Sequence, residues 1–433
     1  MTNKEMTFAA TGDSFITRRL PSVESNSFKE ISELLKSADV RFTNLETTLH
    51  YKEGYPSAFS GGTWAMSPPE VLKDINAYGF NLLAWANNHT MDYSYGGLLA
   101  TKRYLNEYNF VHAGAGENLS EASSPEYLET PSGRVALVSI TSTFYESNYA
   151  GDQRPDISGR PGINPLRYET TYFVTQEEME QLSKIAEKTG INAEKNLSIQ
   201  EGFDSKDEND ALTFGQYDFK KGPEIKKVTH PLAIDMKRLK DAISEARRQA
   251  DIVLVSIHSH EMENDEKSVP SQFLVEASRE AINTGADAVI GHGPHVLRGI
   301  EIYHHKPIFY SLGNFIFQND TVPVLPSDFY DKYGLDKNAN MSDALDKRSK
   351  NNTIGLGTNK NVWESVIAVW ESQNGELASL KLFPVKLGFG LARYQRGWPT
   401  LSKDESILKQ LQKLSEPFGT KISINNGVGT ISI

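Results

Sequence analysis

The sequence predicts an α/β fold, a sheet whose strands are joined through helical crossovers. Three observations predict it. Short apolar runs of strand length recur along the 433 residues, bounded by turn residues. Amphipathic segments with helical spacing lie between many of them. Clusters of Asp, Glu, Asn and His follow the runs directly, where open α/β sheets put their chemistry.

Taken in order, Met6–Thr11 is a strand ending in Gly12-Asp13-Ser14. Ser27–Ser37 is a helix with apolar positions at Phe28, Ile31, Leu34 and Leu35. Val40–Asn44 is a second strand, running into Leu45-Glu46, and residues 50–67 are a Gly-, Ser- and Tyr-rich loop. Pro68-Pro69 opens a helix that Gly79 closes. Phe80–Ala86 is a third strand, ending in Asn87-Asn88-His89-Thr90-Met91-Asp92. A helix at Leu98–Tyr108, a short strand at Phe110–Ala113 and a buried strand at Arg134–Thr141 continue the rhythm.

Between about 144 and 230 the rhythm breaks into turn-rich and polar sequence, with a charged helix at Thr175–Lys188. Its thin apolar content predicts an insertion within one domain spanning 1–433, not a second domain. Helix Ile234–Gln249 and strand Ile252–Ile257 follow, the strand ending in His258-Ser259-His260-Glu261. Helix Pro270–Thr284 leads to Ala288-Val289-Ile290 and the turn Gly291-His292-Gly293-Pro294-His295. Ile300–Tyr303 and Pro307–Leu312 read as paired strands, and residues 318–360 as a polar, mobile flap. Trp363–Trp370 and Ala378–Leu387 read as a closing antiparallel pair, followed by a helix at Lys403–Leu414 and a Gly/Ile-rich tail.

Composition bounds the function. A net charge of −11 argues against nucleic acid or an anionic membrane as the main partner. With no cysteine there is no disulfide, thiolate ligand or thiol nucleophile. No stretch reaches membrane-spanning length and no apolar leader opens the sequence, so the chain, read as complete, is expected in the cytoplasm.

Five polar clusters fall at predicted strand ends: Asp13, Asn44/Glu46, Asn88/His89/Asp92, His258/His260/Glu261 and His292/His295. Each alone is weak, because an Asp after Gly is most often a turn and Asn-Asn-His a solvated loop. Together they converge on one sheet edge. Carboxylate oxygens with imidazole nitrogens suit a divalent Mn, Fe or Zn ion. A carboxylate between two such ions would support hydroxide generation and hold a phosphoryl group. His89 would then protonate a leaving group. Arg160, Arg167 and Arg298 are candidates to hold substrate carboxylates bidentately, against the even alternative that they satisfy loop carbonyls.

These motifs carry a resemblance. Gly12-Asp13, Asn44-Leu45-Glu46, Asn87-Asn88-His89 with Asp92, Ile257-His258, Gly291-His292-Gly293-Pro294-His295-Val296-Leu297 and Tyr310-Ser311-Leu312-Gly313-Asn314-Phe315 resemble the CapA family. That family is named for capsule and poly-γ-glutamate synthesis, within the calcineurin-like metallophosphoesterase superfamily. The resemblance implies a four-layer α/β/β/α sandwich. It implies metal ligation by Asp13, Glu46, Asn88, His258 and His292, and action on the substrate by His89, with His295 also in the last motif. Three departures stand out. Position 15 is Phe where the superfamily has His, the second acid is Glu46 instead of Asp, and two residues separate the final histidines. One metal site is therefore expected to lack a ligand.

The expected function is a metal-assisted hydrolase acting on a phosphoester or an anionic, glutamate-rich peptide. One alternative is a metal-independent enzyme in which Glu46 and His295 act as acid and base on a peptide or γ-glutamyl substrate, by cleavage, transfer or epimerisation. The other is a non-enzymatic accessory subunit of polymer synthesis.

Overall fold

The computed structural model describes residues 5–205, 211–336 and 338–431. It is a mixed α/β structure with several sheets and, among the described residues, eleven α-helices. In the larger of two main sheets the strands run in the order 422–425, 428–431, 376–386, 364–373, 5–15, 40–45, 82–84 and 111–113. Strand Asn314–Phe317 pairs in parallel with the end of Glu5–Phe15. The second sheet runs 300–303, 306–309, 288–292, 252–258, 133–141 and 126–130.

Strand alternation decides what each sheet face meets. Phe8, Ala10, Phe42, Leu82 and Ala84 of the first sheet share one core with Val135, Leu137, Leu254 and Ile290 of the second. The intervening residues Ala9, Leu45 and Leu83 pack on Ile31, Leu35, Ile75 and Leu98, from helices Asn26–Lys36, Val71–Tyr78 and Ser94–Glu107. In the second sheet Val138, Val253, Val255 and Val289 pack on Leu239, Ile243, Phe273 and Ala277, from helices Ala233–Gln249 and Gln272–Thr284. Burying one such side chain stabilises the fold by about 1.5–3 kcal/mol.

Three expectations are revised by these elements. Within the segment 144–230, Tyr168–Val174, Leu212–Phe214, Tyr217–Lys221 and Lys226–Pro231 form a four-stranded sheet of their own. Residues 318–360 are not bare loop. They hold helices Ser327–Lys332 and Met341–Ser349, whose Phe329, Ala344 and Leu345 pack on Trp64, Met66 and Tyr93. The C-terminal tail is a hairpin, Ile422–Asn425 with Val428–Ile431, which extends the first sheet. Among the described residues no helix is long and apolar enough to cross a membrane.

The loop after Leu49 carries a buried histidine whose titration is separable from the site. His50 Nδ1 accepts from the Glu53 amide at 3.2 Å and Nε2 lies 3.1 Å from Thr48 Oγ1. Burial pushes its pKa down to about 4. The unfolded chain takes up this proton near 6.5 while the folded chain does not. Stability is therefore fully present above that value and is lost as pH falls toward 4, by up to about 3 kcal/mol. Urea unfolding across this window is expected to show a shallower acid slope in His50→Gln than in wild type.

Candidate metal and catalytic site

Asp13 sits where strands 5–15, 40–45 and 314–317 meet, paired in register with Asn44 on one side and Asn314 on the other. The strands approach closely there: a Cβ at Gly12 would lie 1.8 Å from the Gly313 carbonyl oxygen. The Asn44 amide donates to Asp13 Oδ1 at 2.8 Å and the Gly293 amide to Oδ2 at 2.9 Å. Burial raises the pKa of this carboxyl, but the hydrogen bond from His292, the neighbouring His292 and His295 and the Asn44 amide outweigh it and hold it low. Asp13 is thus a buried carboxylate.

In the second sheet His258 and His292 are register partners on parallel strands. Their Nδ1 atoms lie 3.0 Å apart, and Asp13 Oδ1 is 3.8 Å from the first and 3.4 Å from the second. Asp13, His258 and His292 therefore each offer an atom within 4.8 Å of the others. Ser256 Oγ, 2.7 Å from His292 Nε2, fixes that ring.

A second trio, Glu46, His260 and His295, has the same spacing. His258 Nε2 faces His260 Nε2 at 3.2 Å, and Glu46 Oε1 lies 3.9 Å from His258 Nε2 and 3.8 Å from His295 Nε2. Burial, then the neighbouring imidazoles, push His258 and His260 well below the usual histidine range. Burial takes His295 to about 4 against the pull of Asp13. All three rings are neutral at pH 7, the form that binds metal. His295 also holds a left-handed backbone, φ 61°, with Nδ1 2.9 Å from Asn314 Oδ1.

The chemistry of the donor set fits a divalent cation. Glu46 is fully buried, and neither carboxylate oxygen has a hydrogen-bond partner. Burial, Asp13 and Asp92 raise its pKa well above the usual carboxylate range. An uncompensated buried carboxyl of this kind costs stability that a cation offsets. Asn88 repeats the pattern, since its amide nitrogen and oxygen are both buried without partners. His260 gives the second trio a nitrogen that Phe15 cannot supply.

His89 stands beside the trios. The Asn87 side chain accepts from its amide, and Asp92 Oδ2 lies 2.6 Å from its Nδ1. Phe15 meets its ring edge-on at 5.0 Å. A Cβ at Gly61 would come 2.0 Å from Asn88 Nδ2 and 2.9 Å from His89 Cε1, so a larger residue there would displace these side chains. His89 and His295 line a cavity of about 240 Å³. Asn88 and His260 line an adjoining one.

All of the carboxylates, amides and imidazoles expected at the site are assembled in this region. The three arginines are not. Arg298 is fully buried and donates to the carbonyls of Ser259, His260, Glu261 and Lys267. Its role is to hold the backbone that carries His260, so the expectation that it meets substrate is corrected. Arg298→Met is expected to lower the unfolding free energy by about 3–5 kcal/mol, read from the denaturation midpoint. Arg167 is paired with buried Asp235, and Arg160 lies over Tyr149 and donates to its carbonyl. Neither lines the cavity beside His89. The cations that do are Lys332, Arg348 and Arg396. Arg348 and Arg396 both pair with Asp320, and Arg348 also donates to Thr63 Oγ1 at 2.6 Å.

The bacterial capsule synthesis protein PGA_cap family matches residues 7–319. Protein y4sH of Sinorhizobium fredii, itself uncharacterized, is 36% identical over 445 positions, 99% of this chain and 93% of its own. The capsule biosynthesis protein CapA of Bacillus anthracis is 27% identical over 73% of this chain and 60% of its own. The PGA biosynthesis protein CapA of Bacillus subtilis is 27% identical over 72% and 61%.

Proposed function

The chain belongs to the bacterial capsule synthesis protein PGA_cap family, and from that premise we propose a metal-assisted hydrolase. Its substrate is an anionic phosphoester or glutamate-rich peptide, handled in capsule or poly-γ-glutamate metabolism. The two large sheets with their flanking helices are read as the α/β/β/α sandwich of the metallophosphoesterase superfamily. The alternation of core residues supports that reading.

One observation carries the proposal. Glu46 keeps two buried, unpartnered carboxylate oxygens among four imidazoles and a second carboxylate. Asp13, His258 and His292 would hold one divalent Mn, Fe or Zn ion, and Glu46, His260 and His295 another, with Asn88 beside them. Bound there, the ions would polarise a phosphoryl or carbonyl oxygen and lower the pKa of a water. The rest belongs to the protein. Arg348, Arg396 and Lys332 attract the anionic end of the substrate. Phe15 and Phe317 exclude bulk water from the side of the cavity that His89 and His295 line. Asp92 accepts from His89 Nδ1–H and its charge favours the doubly protonated ring, whose Nε2–H supplies the proton the leaving group receives.

A second reading follows from the same residue. Without a cation, burial and the neighbouring Asp13 and Asp92 favour the protonated form of the Glu46 carboxyl. With His295 Nε2 3.8 Å away it forms an acid–base pair able to act on a peptide Cα or amide. Mass-spectrometric metal analysis of the purified protein and of His292→Ala separates the two. Near-stoichiometric Mn, Fe or Zn in wild type alone, with chelator-sensitive cleavage of bis-p-nitrophenyl phosphate or a γ-glutamyl anilide, is the expected result. A protein that takes up no metal and works unchanged in chelator overturns the hydrolase reading in favour of the second.

A further inference from the structure

The cavity beside His89 is the first of three that share lining residues. Gly61, Gly62 and Lys332 line both it and the adjoining cavity of about 330 Å³ that Asn88 faces. His260 in turn lines both that cavity and a third, of about 430 Å³, walled by Tyr168, Tyr172, Tyr217 and Lys227 of the inserted sheet. The tyrosines of this wall pack against aromatic neighbours. Tyr168 stacks on Phe273 at 4.2 Å, and Tyr172 stacks on Phe219 and meets Tyr217 edge-on.

The charge of this cleft runs against that of the chain, whose net charge is −11. The three cavities present Lys227, Lys332, Arg348 and Arg396. Among the described residues neither lysine has a carboxylate partner within 4 Å. The two acids along the cleft are already held. Asp320 is paired with both arginines, and Glu261 accepts from Ser142, Thr143 and Ser259. Among the described residues, an acidic protein thus keeps two lysines without a carboxylate partner along one groove, beside two arginines that share a single Asp320, with aromatic faces at one end.

We infer that the inserted sheet supplies a second substrate subsite, across His260 from the cavity that Asn88 faces, and that the ligand is a linear anionic chain lying from there to the arginine-lined cavity. The inference rests on the proposed reading of the site but adds where the ligand extends. Tyr168, Tyr172 and Tyr217 present flat faces to the chain's apolar or amide segments, and Lys227 meets a carboxylate beyond them. The bond acted on then lies inside the chain, with several units on either side, and not at its end.

The test is calorimetric binding of linear γ-glutamate oligomers of two, five and ten residues to the metal-loaded protein and to metal-free protein. Affinity is expected to rise by about tenfold or more from the shortest to the longest. Lys227→Glu is expected to return the decamer to the affinity of the dimer while leaving the dimer unchanged. Lys227→Gln, which keeps the packing, tests the same point should Lys227→Glu fold poorly, and gives an intermediate loss. Equal affinity at all lengths, no binding of any oligomer, or variants that bind the decamer as wild type does overturns the inference. The hydrolase reading fails separately. Length-dependent binding without hydrolysis in the metal-loaded protein removes that reading and leaves the subsite standing. Hydrolysis of a minimal ester with length-independent affinity does the reverse.

Discussion

Glu46→Gln is expected to lose the ion of the second trio and to lower activity by at least about 100-fold, since ligand loss exceeds the effect of losing a supporting partner. The same substitution should stabilise the metal-free chain. The wild-type carboxyl is buried without a hydrogen bond and must be either ionised there or hold a proton against solvent, a cost that the neutral glutamine amide does not carry. The sign with pH follows from its raised pKa. The folded state keeps a proton that the unfolded chain gives up in the ordinary carboxylate range. Metal-free wild type therefore loses stability as pH rises from that range toward neutrality. Glu46→Gln lacks this loss, so the two unfolding curves diverge with increasing pH. Adding metal reverses the ranking: at 100 times the dissociation constant, wild type gains about 2.7 kcal/mol. A variant that is less stable than wild type without metal, and retains both ions, would show that Glu46 is a packing residue.

The strand ends were legible in the sequence because a buried strand is an apolar run and a site is the polar break after it. Asp13, Glu46, His89, His258 and His292 could all be found that way. The second trio was harder. His260 lies past the end of strand Ile252–His258, so nothing in its spacing separated it from a loop histidine. Its place depends on Arg298, a charged residue that composition assigns to the surface and the fold encloses completely. Arg348 and Arg396 were hidden for the opposite reason, because an arginine in a polar run looks solvated until its partners are known. The inserted sheet was unreadable because its strands bury little on either face and so carry no clear period of two. The C-terminal hairpin did leave a signal. Asn426-Gly427, with φ of 52° and 77°, joins two strands and is the dipeptide that two-residue hairpin turns require.

The exchange at position 15 bears on mechanism as well as ligand count. A histidine there would add a nitrogen to the site. Phe15 instead packs against His89 and, at 6.1 Å, against Phe317, whose ring is 5.0 Å from His295. The site is therefore asymmetric. Histidines gather on the His258–His260 side, and an apolar wall backs the residue assigned to proton transfer. An apolar wall strengthens the His89–Asp92 contact by excluding competing water. It also makes that contact the main control on the ring's orientation and charge.

The largest kinetic effect is accordingly expected at His89, and it should depend on the leaving group. His89→Ala should lower kcat by about 10²–10⁴-fold on a substrate whose leaving group is a poor one, such as an alkoxide or an amine. On a p-nitrophenyl ester, whose leaving group departs without a proton, the loss should be small. Asp92→Asn separates proton transfer from position. It keeps a hydrogen bond to the ring, but a neutral amide lacks the charge that favours the doubly protonated ring, the form that gives up the Nε2 proton. Its defect should follow the same leaving-group dependence as His89→Ala, and metal content should not change in either variant. An equal loss on both substrates, or a loss of bound metal, would assign His89 to holding the site together, and the proton would have to come from elsewhere in the cleft.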